Sequence, residues 1–163
     1  MKSKRCLIFV TALLAACFAA CQYANLPLIS PNDGGGTTEV RLGKSDFFLK
    51  LPDDFEMTEA RGKEGQLGYH LKPKDTASTM SAFIEIKHGM PITVAEPSKR
   101  SPRSFARAGF GGKETVWLIE KTETGYFVAF TSEHGDLNAT ASSKDENEVK
   151  KLISIIATLK NGR

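Results

Sequence analysis

Apolar and polar residues alternate along several short stretches of this chain, and this pattern predicts β-strands. In residues 46–51 every second position is apolar, which is the period expected for a half-buried strand. Ala82, Ile84 and Ile86 repeat the same spacing. We expect strands at 40–42, 46–51, 68–71, 81–88, 114–121, 126–132 and 137–141. Because short turns connect the later stretches, these strands are expected to form an antiparallel meander.

The last part of the chain changes to a helical period. Apolar residues at positions 149, 152, 153, 156 and 159 fall on one stripe of a helix. Ser143 and Glu146 have the spacing of a capping box, which predicts the helix start, and Gly162 is expected to end the helix. Strands followed by one helix predict an α+β domain: a mainly antiparallel sheet with a C-terminal amphipathic helix packed on one face.

The N-terminus has the pattern of an export signal. Basic residues in positions 1–5 precede an apolar run over positions 6–20. That run is shorter than the roughly 20 residues that a membrane-spanning helix needs. It matches the apolar region of a secretory signal peptide.

Two cysteines follow this apolar run. Residues 14–17 read Leu-Ala-Ala-Cys, and this segment resembles the lipobox of bacterial lipoproteins, in which the cysteine is lipid-modified and the signal is removed. Residues 18–21 read Phe-Ala-Ala-Cys and give a second candidate. We predict a signal peptide over 1–16 with lipidation at Cys17, or alternatively a signal over 1–20 with lipidation at Cys21. Ordinary secretion is the remaining alternative.

The lipobox resemblance implies a location at the outer membrane, facing the periplasm. Neither Phe18 nor Gln22 is the aspartate that resembles an inner-membrane retention signal after a lipidated cysteine. No cysteine follows residue 21, so the folded domain is expected to hold no disulfide, thiol nucleophile or cysteine-ligated metal.

Residues 17–36 are predicted to be a flexible, lipid-anchored tether. Pro27, Pro31 and three consecutive glycines at 34–36 disfavour helix and strand. The apolar patch at 26–29 either docks on the domain or belongs to a disordered tail, and the tail is favoured. We place a single domain at 37–160 and a short tail at 161–163.

The charge of the chain gives no reason to expect nucleic acid as a partner. The formal net charge is +3, but Lys2, Lys4 and Arg5 lie in the predicted signal peptide. Without these three residues, basic and acidic side chains are equal in number, and a neutral protein has no global attraction to an anionic polymer. Contact with the membrane is expected only through the lipid anchor.

The two ends of the domain resemble PsbP-like domains. Residues 47–55 follow their opening of a strand, Leu-Pro, a small turn and an aromatic residue, and residues 155–160 are similar to their closing helix. DcrB-like lipoproteins, and at least one type VI secretion immunity lipoprotein, share this architecture behind a lipobox. The resemblance implies the fold but no common activity.

The sequence contains no recognisable catalytic or metal-binding motif. His70, His88 and His134 do not have the spacing of metal ligands on one element, and the Gly-x-Ser-x-Gly motif of hydrolases is absent. We therefore predict a protein that is not an enzyme and that uses no cofactor or metal.

Residues 89–113 form the one long stretch without a predicted element. Loops of this length in compact domains are usually functional or disordered. Its basic and aromatic side chains predict a partner-binding loop, and the alternative is a solvated, partly disordered loop. The candidate residues are Lys99, Arg100, Arg103, Phe105, Arg107, Phe110 and Lys113.

These observations predict a membrane-anchored, non-catalytic protein-binding module. The partner would be a secreted effector, which the protein neutralises as an immunity protein, or another envelope protein. The alternative function is an envelope-maintenance or structural role of the DcrB-like type.

Overall fold

The computed structural model describes residues 24–61, 67–86, 102–132 and 137–162. Within these ranges the chain forms ten strands and one helix. The strands are β1 (Thr37–Arg41), β2 (Phe47–Pro52), β3 (Phe55–Arg61), β4 (Leu67–Pro73), β5 (Ser81–Ile86), β6 (Arg103–Phe110), β7 (Lys113–Thr122), β8 (Gly125–Thr131), β9 (Leu137–Ser143) and β10 (Lys160–Asn161). The helix α1 is Glu146–Ile156.

The strands form two sheets. The larger has seven strands in the order β3-β4-β5-β9-β8-β7-β6, and the smaller has three in the order β1-β2-β10. Every neighbouring pair of these strands is antiparallel. The predicted α+β architecture, a mainly antiparallel sheet with a C-terminal helix, is thereby confirmed.

The helix packs between the two sheets. It contacts β9, β8 and β6 of the larger sheet and β2 of the smaller one. The predicted stripe is buried throughout: Val149, Leu152, Ile153, Ile156 and Leu159 are at most 1% exposed. Because a second sheet covers another side of the helix, Ile155 is buried as well.

The helix ends differ from the sequence prediction. Its N-cap is Asp145, whose carboxylate accepts hydrogen bonds from the amides of Asn147 and Glu148 at 2.7 and 3.3 Å. Ser143 lies two residues before this cap, still paired with β8, and its hydroxyl donates to the carboxylate of Glu148 instead of accepting from a helix amide. The helix ends at Ile156, and the chain then turns into β10, so Gly162 does not terminate it.

Strands β3, β6 and β10 were not predicted. The expectation that residues 89–113 form an irregular loop is wrong from residue 103 onward, where β6 pairs with β7 along its whole length.

A two-residue turn joins β6 and β7, formed by Gly111 and Gly112 with φ of 59° and 86°. Positive φ at both positions is typical of the tight turn that suits the twist of a hairpin. Residues 87–101, which include Lys99 and Arg100, lie outside the described residues.

Part of the predicted tether is docked on the domain. The amide of Arg107 donates to the carbonyl of Pro27 at 2.8 Å, and the amide of Ile29 donates to the carbonyl of Arg107 at 2.7 Å. Further on, the amide of Asn32 donates to the carbonyl of Ser154 in the helix at 2.9 Å. The side chain of Ile29 packs against the core. We call residues 27–32 the N-terminal strap, and the expectation of a flexible tether over 17–36 is corrected for this segment.

Candidate partner-binding surface

Strand β6 places three of the predicted partner-binding residues on the same side of the larger sheet. Arg103, Phe105 and Arg107 alternate along the strand, so their side chains share a face. The intervening Ser104 donates a hydrogen bond to the Glu146 carboxylate of the helix at 3.2 Å. The three residues therefore lie on the face away from α1, which we call the outer face.

Phe105 is the most exposed apolar residue of this strand. Its side chain is 47% exposed, although it stands at the middle of a regularly paired β-strand. It lies opposite Leu118 of β7, which is half-buried. This pair makes the centre of an apolar area on the outer face.

A second aromatic side chain extends this area. Phe127 of β8 is 38% exposed and stands opposite Glu120 of β7, which in turn stands opposite Arg103 of β6. Phe127 is therefore one strand away from the Phe105–Leu118 pair and displaced along the sheet by two residues. We call Phe105, Leu118 and Phe127 the outer apolar surface.

Sequence analysis missed Phe127, although the pattern of β8 contains a usable indication. Val128 is buried in the core and Phe130 packs against it, so residues 127 and 129 must point to the outer face. An aromatic residue at such an outward position is a candidate contact residue. Leu28 of the strap, 55% exposed and bridged to Arg107, lies at the edge of the same face.

Arg107 is held in place by local contacts. Its Nε donates to the carbonyl of Leu26 at 3.3 Å, and its guanidinium lies 3.4 Å from the carboxylate of Glu114. Only 21% of its side chain is exposed. These contacts fix the strap and the hairpin to one another, so the observed role of Arg107 is to position the edge of the surface.

Phe110 and Lys113 do not belong to the outer face. Phe110 is only 4% exposed and packs edge-on against Trp117 and Phe130, with ring centroids 5.7 and 4.8 Å apart. It is therefore a core residue and not an exposed anchor. Lys113 stands opposite Phe110 across the tight turn and projects on that same side of the hairpin.

The described part of the chain assembles no metal cluster. It contains no group of three or more histidine, cysteine, aspartate or glutamate side chains arranged around a common point. His70 is exposed and rests on the ring of Phe83 at 4.6 Å, whereas His88 and His134 lie outside the described residues. None of the helices described is long and apolar enough to cross a membrane.

The pKa values of two residues, Tyr69 and Glu146, are shifted. Neither residue belongs to the outer apolar surface. Burial, with the charge of Glu59 as a smaller cause, raises the pKa of the Tyr69 hydroxyl. The hydrogen bond from Lys150 lowers the pKa of the Glu146 carboxyl, and Ser104 adds to this effect.

The resemblance to PsbP-like and DcrB-like domains stays a prediction. Comparisons with models of protein families, with curated proteins and with solved structures give no match to this chain.

Proposed function

We propose that this chain is an exported lipoprotein whose domain binds another protein without catalysing a reaction. The lipid would be attached to Cys17, or alternatively to Cys21, and would hold the domain at the outer membrane on its periplasmic side. The support for this location is the basic N-terminus, the apolar run and the Leu-Ala-Ala-Cys segment. Phe-Ala-Ala-Cys supports the alternative cysteine in the same way.

The exposure of Phe105 and Phe127 carries the proposal of protein binding. Strands β6 and β8, on either side of β7, present these two aromatic side chains on a face that α1 leaves open. Aromatic residues are enriched among the side chains that dominate the energetics of protein interfaces. Exposed apolar area rimmed by charged residues, here Arg103 and Glu120, is typical of interaction sites.

The partner is either a secreted effector or a component of the envelope. Neutralising an incoming toxin, as an immunity protein does, is the first form of the proposal. The alternative is an envelope-maintenance role of the DcrB-like type, on a PsbP-like fold. A gene for a secreted effector beside this one would favour the first form, and a deletion phenotype under envelope stress without any toxin would favour the second.

The experiment compares capture by three versions of a soluble chain of residues 24–163, which retains every described residue. The versions are the natural sequence, the double variant Phe105→Ser/Phe127→Ser, and the control His70→Ser. His70 is also an exposed ring on the outer face, but it lies on β4, several strands away. Envelope extract, with and without extract of competing cells, is passed over each version, and bound proteins are quantified by mass spectrometry.

We expect the double variant to recover at least about tenfold less of one bound protein than the natural sequence does. The reason is that a pair of central aromatic contacts contributes at least that much to affinity. The His70→Ser version should retain it. Circular dichroism must show the same fold for all three versions. Equal recovery of every protein by the three versions would contradict the proposed surface.

A further inference from the structure

Two adjacent polar cavities lie at one end of the larger sheet. The first, of about 330 Å³, lies beside the turn that joins β7 to β8. The second, of about 470 Å³, lies between the β2–β3 turn, the segment that follows β4 and the first turn of α1. We call the two cavities together the end cleft.

The end cleft is built from well-described parts of the chain. None of the described residues that line it is next to an undescribed residue in the sequence. Arg61, Ile86 and Leu137, which do adjoin undescribed residues, lie at the opposite end of the sheet. Pro102 accepts a hydrogen bond from Lys121 at 2.9 Å, on the β6 side of β7 and away from β8.

A chain of hydrogen bonds separates the two cavities. The hydroxyls of Thr79 and Ser143 lie 3.3 Å apart, and the Ser143 hydroxyl donates to the carboxylate of Glu148. Thr79 and Ser143 line the first cavity, and Glu148 lines the second. Ser143 is only 5% exposed, so this boundary is held in place. A ligand that crosses it contacts both cavities.

The first cavity combines hydroxyl groups with aromatic rings. A hydroxyl both donates and accepts hydrogen bonds, and an aromatic ring offers an apolar surface. The hydroxyls belong to Thr79, Thr122, Thr124, Ser142 and Ser143, and the rings to Tyr126 and Phe127.

The walls of the first cavity are fixed by local contacts. The hydroxyl of Thr122 donates to the carbonyl of Gly125 at 3.1 Å and lies 3.3 Å from the hydroxyl of Thr124. An added Cβ at Gly125 would collide with the carbonyl of Ser143, so glycine permits the close approach of β8 to the end of β9. The cavity therefore has its shape before a ligand arrives.

The second cavity supplies hydrogen-bond acceptors. The carboxylates of Asp54, Asp75 and Glu148 line it. One oxygen of Asp75 accepts from the amide of Ala77 at 2.9 Å, but a carboxylate offers about four lone-pair sites, so it can accept further hydrogen bonds. Met80, which packs against the core, adds apolar surface to the wall.

The charges around the end cleft balance. Lys74 lines the second cavity and Lys144 the first, and the ammonium group of Lys151 lies 2.9 Å from the carboxylate of Asp54. Three ammonium groups thus accompany the three carboxylates, which gives no net attraction for an anion or a cation. The described residues also form no group that could hold a metal ion. A neutral ligand rich in hydroxyl groups fits this lining.

We propose that the end cleft binds a short chain of neutral sugar rings. One ring lies against Tyr126 and Phe127 through its C–H face, and its hydroxyls bond to those of the first cavity. The next ring lies in the second cavity and donates to Asp75 and Glu148. Both cavity volumes lie in the lower half of the range of roughly 300–1,000 Å³ that is typical of ligand pockets, so each suits one ring.

This site goes beyond the proposed binding of a protein and does not depend on it. Phe127 borders both the end cleft and the outer apolar surface. Phe105 and Leu118, the other members of that surface, do not line the cleft. Sugar binding requires neither the lipid anchor nor a protein partner.

The test measures binding of cellotriose, and of its N-acetylated counterpart triacetylchitotriose, to the soluble chain of residues 24–163. Titration calorimetry gives the affinity, and amide NMR shifts of Gly125 and Ala77 report on the first and second cavity. Ser142→Val removes a hydroxyl and volume from the first cavity, and Ala77→Leu removes volume from the second. Thr140→Val is the matched control, because Thr140 lies two residues before Ser142 on the same face of β9 and lines neither cavity.

We expect at least one trisaccharide to bind saturably and to shift the amides of both Gly125 and Ala77. Ser142→Val and Ala77→Leu should each lower its affinity at least about fivefold, as the loss of a hydrogen bond or close contact does. Thr140→Val should leave the affinity unchanged. Circular dichroism must show the same fold for all versions.

Three results would overturn the proposal. They are no saturable binding of either trisaccharide up to about 10 mM, shifts confined to one of the two cavities, or full affinity in Ser142→Val or Ala77→Leu. The capture experiment measures a protein partner with other variants, so either experiment can fail without the other.

Discussion

Arg107 is hydrogen-bonded to Pro27 and Ile29 of the N-terminal strap through both its backbone amide and its backbone carbonyl. Its amide donates to Pro27 at 2.8 Å, and its carbonyl accepts from Ile29 at 2.7 Å. Strand β6 is the edge of the seven-stranded sheet, and an uncovered edge invites pairing with other chains. The strap covers part of this edge. If Cys17 is lipidated as proposed, docking of the strap leaves ten residues between the lipid and Pro27, which span at most about 36 Å when fully extended.

The docking of the strap predicts a specific pattern of hydrogen exchange. In a chain that begins at residue 37, the amide of Arg107 loses its acceptor and should exchange with solvent much faster than in the chain 24–163. The amides of Ala106 and Ala108 point toward β7, because donors alternate along an antiparallel strand. They should remain protected in both chains. Equal protection of Arg107 in the two chains would contradict the docking.

The turn between β6 and β7 predicts a cost for one small substitution. Gly112 has a φ of 86°, yet an added Cβ would meet no atom within 4 Å. Gly112→Ala should therefore lower the free energy of unfolding by backbone strain alone, by about 1–2 kcal/mol. Urea denaturation measures this loss.

Gly35→Ala provides the matched control for that substitution. An added Cβ at Gly35 also meets nothing within 4 Å, and its φ is not positive. Its effect on the free energy of unfolding should stay within about 0.5 kcal/mol. If both substitutions shift the urea midpoint equally, the strain assigned to the turn is wrong.

The sequence predicted the elements whose residues repeat apolar side chains at a regular period. The helix stripe and strand β7 are examples, and within β7 Trp117 and Ile119 share the buried face. Strand β6 was missed because its core-facing residues include Ala106 and Ala108, which add little hydrophobicity. Their small size suits a strand against which a helix packs, but this requirement arises only in the folded protein.

The sequence pointed to some residues of the candidate surface and missed others, because the missing ones depend on strand pairing. The basic and aromatic side chains of Arg103 and Phe105 were visible in the sequence as an unusual stretch. Only the pairing of β6 with β7 shows that Phe110 points into the core. The pairing of β7 with β8 then brings Phe127 to the surface, although it lies more than twenty residues after Phe105 in the sequence. Long-range register of this kind is set by tertiary packing and not by local pattern.

Lipidation of the exported protein is predicted at the first of two cysteines. Cys17→Ala should abolish the mass increase of the lipid and leave the protein unanchored, whereas Cys21→Ala should leave the modification in place. Mass spectrometry of the mature N-terminus distinguishes these results. The opposite pattern would assign the lipid to Cys21, and an unmodified N-terminus in the natural protein would indicate ordinary secretion.

The start of the helix predicts a pH dependence of stability. Lys150 lies 2.8 Å from the Glu146 carboxylate and Ser104 donates to it at 3.2 Å, so the folded protein lowers the pKa of this carboxyl below its ordinary value of 4.5. A lowered pKa means that the folded state favours the ionised form. The resulting stabilisation is present above the unfolded pKa and is lost as the pH falls through the folded pKa.

Glu146→Gln should therefore unfold at lower urea concentration than the natural protein at pH 7, and this difference should be smaller at about pH 3. Lys150→Gln removes the main cause of the shift, and the double variant should lose little beyond either single one, because both remove the same contact. Urea denaturation at the two pH values measures all four proteins. A difference that persists unchanged at pH 3 would assign the loss to packing at the helix start, since protonation removes the charge that the ion pair requires.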